Sequence, residues 1–228
     1  MNSLSIALLA ASAFVFATFP QARAADLPGP ASAWSEGGLV KMNTKGLDVV
    51  YAKPGATLAE YHQVLLRPIS VSFAKNWEQS VTSGSRIRIT AADSQRIKDK
   101  LSALLREEVE KQLNDGKYKM AAAAGDDVLD VTMAIVNLYV TAPDVNQQNL
   151  RNSYGVSAGE MSLVVELRDS ATGDIIARAF DRNLASESYR PMRISSVDNA
   201  AEARAAAKGW AEALRKALDR SKGIGATQ

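Results

Sequence analysis

The run Met161-Ser162-Leu163-Val164-Val165-Glu166-Leu167-Arg168 constrains this fold more than any other stretch of the chain. Met161, Leu163, Val165 and Leu167 occupy every second position, the period of a strand with one face buried, and Ser162, Glu166 and Arg168 fall on the other face. The turn Asp169-Ser170-Ala171-Thr172-Gly173-Asp174 comes next, and a second strand runs from Ile175 to about Arg182. The segment therefore predicts an antiparallel hairpin. A hairpin is not stable alone in water, so its apolar face requires a further layer.

Two helical segments supply that layer. From Ala91 to Asn114, the residues Ile97, Leu101, Leu104, Leu105 and Val109 recur on one face. Thr90 with Asp93 resembles a capping box, and Gly116 stands where a glycine stop belongs. Glu108 and Gln112 fall inside the apolar stripe. They are read as its frayed end, with a buried carboxylate as the alternative. From about Asp198 to Arg220 a second stripe runs through Ala203, Ala206, Ala207, Trp210, Ala213, Leu214, Ala217 and Leu218, opposite Lys208, Glu212, Arg215 and Asp219. Small side chains and Gly209 let this helix lie close on its own sheet, so core packing is expected over a docking face, with Trp210 as the large central side chain.

Further strands are expected at Leu47–Tyr51, closed by the Pro54-Gly55 turn, and at Val64–Phe73, with a short helical turn over Thr57–Tyr61 between them. Pro68 cannot donate to a ladder and marks an edge or a bulge in the second strand. A short strand near Tyr118–Ala122 and a long one over Val128–Val140, bulged near Asn137, complete the pattern. The expected class is α/β of the α+β type: a two-layer sandwich of mostly antiparallel sheet with two main helices on one face.

The N-terminal end points to export. Leu4 to Phe19 carries no charge, and Pro20 and the small-residue pattern Ala22-Arg23-Ala24 follow it, which predicts a signal peptide over residues 1–24 cleaved between Ala24 and Ala25. The run is shorter than the ~20 apolar residues of a membrane span. Residues 25–45, opened by the Pro- and Gly-containing stretch Asp26 to Ser32, read as a flexible leader, residues 46–222 as a single α/β domain and residues 223–228 as a C-terminal tail. Losing Arg23 lowers the formal charge from +2 to +1, so no nucleic-acid partner is expected. The chain has no cysteine, which removes disulfides, thiol chemistry and an acylated N-terminal cysteine together. The mature chain is expected in the periplasm or secreted, without a stable membrane anchor.

Several of these features together resemble the domain of unknown function 3313, a family of exported or lipoprotein-type envelope proteins of proteobacteria. They are Tyr51 with Pro54-Gly55, Tyr61 with Val64, Leu66 and Pro68, the Asp169–Gly173 turn, and Trp210. The resemblance implies an envelope location and this fold, and it supplies no catalytic or binding residues. The lipoprotein members carry a cysteine that this chain lacks.

The chemistry-bearing residues form no catalytic set. Ser72-Phe73-Ala74-Lys75 fits S-x-x-K, but that dyad works on a helix, and here it ends a strand. His62 is the only histidine, and no G-x-S-x-G elbow accompanies it. Asp126, Asp127 and Asp130 lack the spacing of a calcium loop and read as a turn and a strand face. Arg86, Arg88, Arg96, Lys98 and Lys100 are interleaved with Asp93 and Asp99 and read as a solvated face. No catalytic residue, metal site or cofactor is assigned. The expected role is a non-enzymatic one in the cell envelope, contacting another macromolecule, most plausibly a protein, through the polar 142–158 loop with Arg151 and Tyr154 or through an exposed strand edge. The alternative is a periplasmic hydrolase or small-ligand-binding protein whose site forms only in the fold, and a deep apolar cavity would favour it.

Overall fold

The computed structural model describes residues 31–44, 46–83, 88–140, 152–155, 159–184 and 192–223. The cleavage positions Ala24 and Ala25, the loop residue Arg151 and the tail beyond residue 223 lie outside the described residues. In chain order the elements are α1 (Ala31–Trp34), β1 (Val40–Met42), β2 (Val49–Ala52), β3 (Gln63–Leu66), β4 (Ser70–Phe73), α2 (Trp77–Thr82) and α3 (Ala91–Asp115). There follow β5 (Lys119–Met120), β6 (Val128–Val140), β7 (Asn152–Gly155), β8 (Gly159–Asp169), β9 (Ile175–Leu184), β10 (Met192–Ser195) and α4 (Ser196–Ser221). Eight strands form one sheet in the order β1-β2-β9-β8-β6-β3-β5, with β4 also on β6, and β7 pairs β10 separately.

The expected hairpin is β8–β9, with Leu163 opposite Asp181, Val165 opposite Ala179 and Leu167 opposite Ala177. Its turn closes on Gly173, whose φ of 78° is the left-handed conformation that glycine adopts without a steric cost. The Asp169 carboxylate accepts the Ala171 and Thr172 amides at 3.0 and 2.7 Å and the Tyr61 hydroxyl at 2.9 Å, tying the turn to the chain before β3. These bonds, the Thr172 amide foremost, hold the Asp169 carboxyl below its ordinary range. Asn137 takes a φ of 54° where the β6–β8 register shifts, which is the expected bulge.

Two features differ from the sequence reading. Val64–Phe73 is not one strand: Arg67-Pro68-Ile69 divides it into β3 and β4, both parallel to β6, and β4, paired with β6 alone, is the edge that Pro68 marks. Four pairings of the large sheet are thus antiparallel and three parallel. The short turn expected over 57–61 is present, closed by the Tyr61 amide on the Leu58 carbonyl at 3.3 Å, with Thr57 Oγ1 accepting the Ala59 amide. The leader expected over residues 25–45 is ordered in its second half, since β1 pairs β2 and Trp34 and Leu39 are buried. Trp34 meets Phe180 edge-on at 6.4 Å and Tyr51 at 6.0 Å, so aromatic packing outweighs the loop-like composition upstream of it.

Helices α3 and α4 pack on each other and on one face of the sheet. Thr90 and Asp93 make the full reciprocal capping box of α3. Beneath the helices Val64, Leu129, Val131, Met133 and Ile135 are at most 2% exposed, joined by Leu105, Val109 and Leu113 of α3 and Leu218 of α4. On the opposite face Glu166 receives Arg168 at 2.6 Å and Arg178 at 2.7 Å.

Candidate functional site

Two helices cannot cover this sheet. Strands lie about 4.8 Å apart and packed helices about 10 Å apart, so α3 and α4 together shield roughly half of eight strands. The shielded strands are β3, β4, β5, β6 and β8. On the same face, β1, β2 and β9 extend beyond α4 with nothing laid over them among the described residues.

The sequence fills this uncovered strip with apolar side chains. Val50 and Ala52 of β2 and Ala177 and Ala179 of β9 are paired across the ladder, Val50 with Ala179 and Ala52 with Ala177. All four are half-buried. On β1, Val40 opposite Ala52 and Met42 opposite Val50 continue the surface, each 45% exposed. The result is an apolar trough of about 840 Å³, with the β2–β9 side chains as floor, α4 as one wall and Met42, Leu47 and Leu58 as the other.

The wall on α4 has two characters. Trp210, Ala211, Leu214 and Leu218 turn inward and are buried, as expected for Trp210. The Trp210 indole also donates to Asp181 Oδ2 at 2.7 Å, while Asp181 Oδ1 accepts the Asp48 amide at 3.1 Å. One carboxylate thus holds α4 against β9 and the start of β2 at one end of the trough. Gly209, Ala213 and Ala217, four residues apart, face the trough instead. Gly209 does not let α4 sit closer to its own sheet: it is exposed, and a Cβ built there meets nothing within 4 Å. A mid-helix glycine costs about 1 kcal/mol against alanine, and no contact within the described chain calls for it.

A polar seam joins α3 to α4, and its members Arg215 and Asp219 also line the trough. Glu108 and Gln112, expected to fray, are 6% and 8% exposed. Arg204 of α4 reaches Glu108 at 3.4 Å and Arg215 reaches Gln112 at 3.2 Å, so both join α3 to α4. Arg215 also pairs with Asp219, which accepts the Tyr118 hydroxyl at 3.0 Å. Burial, with the Asp219 carboxylate beside it, pushes the Tyr118 hydroxyl up to about 12. Gly116 is required here for space and not for a left-handed turn: its φ is −79°, and a Cβ would come within 2.9 Å of the Tyr118 ring. Outside this network Lys216 and Arg220 project on successive turns of α4 at the mouth of the trough. Lys216 touches Glu212 at 3.3 Å, and among the described residues Arg220 donates to the Lys216 carbonyl alone, at 3.1 Å.

The other singled-out residues form no second site. Ser72 lies on β4 and Lys75 in the non-helical stretch after it, without the helical turn that would bring the amine to the hydroxyl. His62 contacts the Glu60 carbonyl at 2.8 Å. Asp130 holds Arg67 through two nitrogens and Asp127 accepts from Gln63. No cluster of His, Asp and Glu among the described residues could hold a metal ion. Tyr154 sits on β7 opposite Arg193 of β10. Ser162 Oγ, on the face away from the helices, is buried without a hydrogen-bond partner among the described residues, and a single hydroxyl does not make a site.

Fold and trough together define an α+β protein with no assembled catalytic group among the described residues. Residues 38–214 match the model for a protein of unknown function, DUF3313, and the chain belongs to that family. No curated protein matches it. Among solved structures it is similar to a DUF330 protein of Xanthomonas campestris, at 12% identity over 78% of this chain and 94% of that one, with a TM-score of 0.45. It is also similar to the PelC dodecamer subunit of Paraburkholderia phytofirmans, at 12% identity over 74% and 95%, TM-score 0.38. A candidate lipoprotein of Caulobacter crescentus gives 15% identity over 71% and 93%, TM-score 0.32. No helix among the described residues is long and apolar enough to cross a membrane.

Proposed function

We propose that this protein is a non-enzymatic envelope component that binds an apolar ligand in the trough between α4 and β1–β2–β9. The observation that carries the reading is the trough itself. Its volume of about 840 Å³ lies within the ~300–1,000 Å³ of small-ligand sites, and its floor is aliphatic. The polar groups around it are engaged in holding α4, and none pairs a nucleophile with a base. The aliphatic floor is therefore the working surface proposed for this chain. The β1 edge is a weaker docking place: it has three residues and carries Lys41, and short, charged edges discourage strand addition.

The location proposed for this role is the periplasm or the exterior, reached by cleavage between Ala24 and Ala25. The uncharged Leu4–Phe19 run and Ala22-Arg23-Ala24 support it, and N-terminal sequencing of the exported protein checks it. Binding is tested with the neutral dye N-phenyl-1-naphthylamine, which fluoresces in apolar sites. The wild type should take it up in a saturable way, and Ala213→Phe, which projects a ring into the trough, should abolish uptake with circular dichroism unchanged. Equal uptake by the two proteins overturns the proposal.

A further inference from the structure

We propose that the ligand of this trough is a monomeric anionic lysophospholipid, its single acyl chain lying along α4 and its head group held by Lys216 and Arg220; this rests on the trough being the binding site. The first argument is the absence of unpaired backbone in the floor. The N–H and C=O groups of β2 are used by β1 and β9, so a polypeptide laid there finds no hydrogen-bond partners, whereas an acyl chain needs none. The second is shape. From Gly209 to Ser221 the α4 wall runs roughly 18 Å at 1.5 Å per residue, long and narrow as a chain is.

The third is polarity. One end is closed by Trp210, whose indole nitrogen is already bonded to Asp181, and so offers only ring surface. At the other end stand Lys216 and Arg220, both exposed, with no carboxylate on Arg220 among the described residues. Of the acids here, Asp219 is occupied by Arg215 and Tyr118 and Glu212 meets Lys216 at 3.3 Å, which leaves Arg220 in excess and the mouth positive. Two cations one helical turn apart suit a phosphodiester. The fourth is Gly209, where the missing side chain leaves open space at the Trp210 end, the place the chain terminus would reach.

The experiment displaces N-phenyl-1-naphthylamine from the full chain with lysophosphatidylglycerol or lysophosphatidylcholine, each below its micelle concentration, and reads stoichiometry by native mass spectrometry. One lysophosphatidylglycerol per chain is expected, bound roughly fivefold more tightly than the zwitterion, as two exposed charge pairs allow. Lys216→Glu with Arg220→Glu should erase that preference while lysophosphatidylcholine and dye still bind. Dye uptake without displacement by either lipid overturns this inference and leaves the trough reading standing; no dye uptake at all overturns both. Equal affinity for the two lipids, a preference that survives the double variant, or association only with phosphatidylglycerol vesicles also overturns it.

Discussion

The two halves of the large sheet are built from the same kinds of side chain and differ in what covers them. Under α3 and α4, Val64, Leu129 and Val131 are fully buried, whereas Val40 and Met42 beyond α4 remain 45% exposed. Complete burial stabilises by about 1.5–3 kcal/mol per large aliphatic side chain, so the covered half holds most of the folding energy. The uncovered half is apolar without that return within the chain itself. Its side chains are better explained by what they contact outside the fold, and stability and binding should therefore separate between the two regions.

Trp210 stands on the border, and emptying its site should have the largest effect. Trp210→Ala is expected to cost about 3–5 kcal/mol, read as a lower denaturant midpoint. An unchanged midpoint would place Trp210 with the open half and break the division. A smaller loss is expected for Asp169→Asn on the covered side, and it should depend on pH. Hydrogen bonds from the Thr172 amide and Tyr61 lower the folded-state pKa of Asp169, so its contribution is complete above the unfolded value near 4 and disappears as pH falls through the folded value. The stability gap between wild type and variant should accordingly close in acid; a gap constant from pH 7 to pH 2 would assign it to packing.

Gly209→Ala reverses the sign. The helix should gain about 0.5–1 kcal/mol, because nothing in the fold occupies the space of the added methyl, while dye uptake falls or holds level. A destabilised variant would mean that the glycine serves the fold. The smallest change is expected for Met42→Ser, within about 0.5 kcal/mol of wild type in stability, as for exposed positions generally, yet with weaker dye binding. A clear loss of stability there would show that β1 belongs energetically to the covered half.

Much of the covered half was legible in the sequence, because its signals are local. The alternation from Met161 to Leu167, the Gly173 turn, the Thr90–Asp93 cap and the Asn137 bulge each follow from neighbours within a few residues. The parallel pairing of β3 and β4 with β6 was not legible, since Pro68 tells only that the strand stops, not what lies beside it. Glu108 and Gln112 read as fraying because their partners Arg204 and Arg215 come about a hundred residues later. The trough was hidden for a related reason: Val50, Ala177 and Ala213 look like ordinary core positions, and only the count of strands against helices shows that they are left open. Gly209 was read as letting α4 lie close on its own sheet, because its direction on the helix was not legible.

The position of β9 in the sheet also bears on how the chain acquires its shape during synthesis. β2 is joined to the body only through β9, with Val49 set against Phe180, and Trp34 on the far face rests on that same Phe180. The first two strands to leave a ribosome or translocation channel therefore have only each other until β9 has followed. Contacts of such long sequence separation close slowly, and the β8–β9 hairpin, whose ladder is local, is ready well before them. Until then the β1–β2 ribbon lacks its β9 neighbour and Val49, Val50 and Tyr51 stay uncovered, the stage at which a chaperone or a prolonged translational pause would matter most to the yield of native protein.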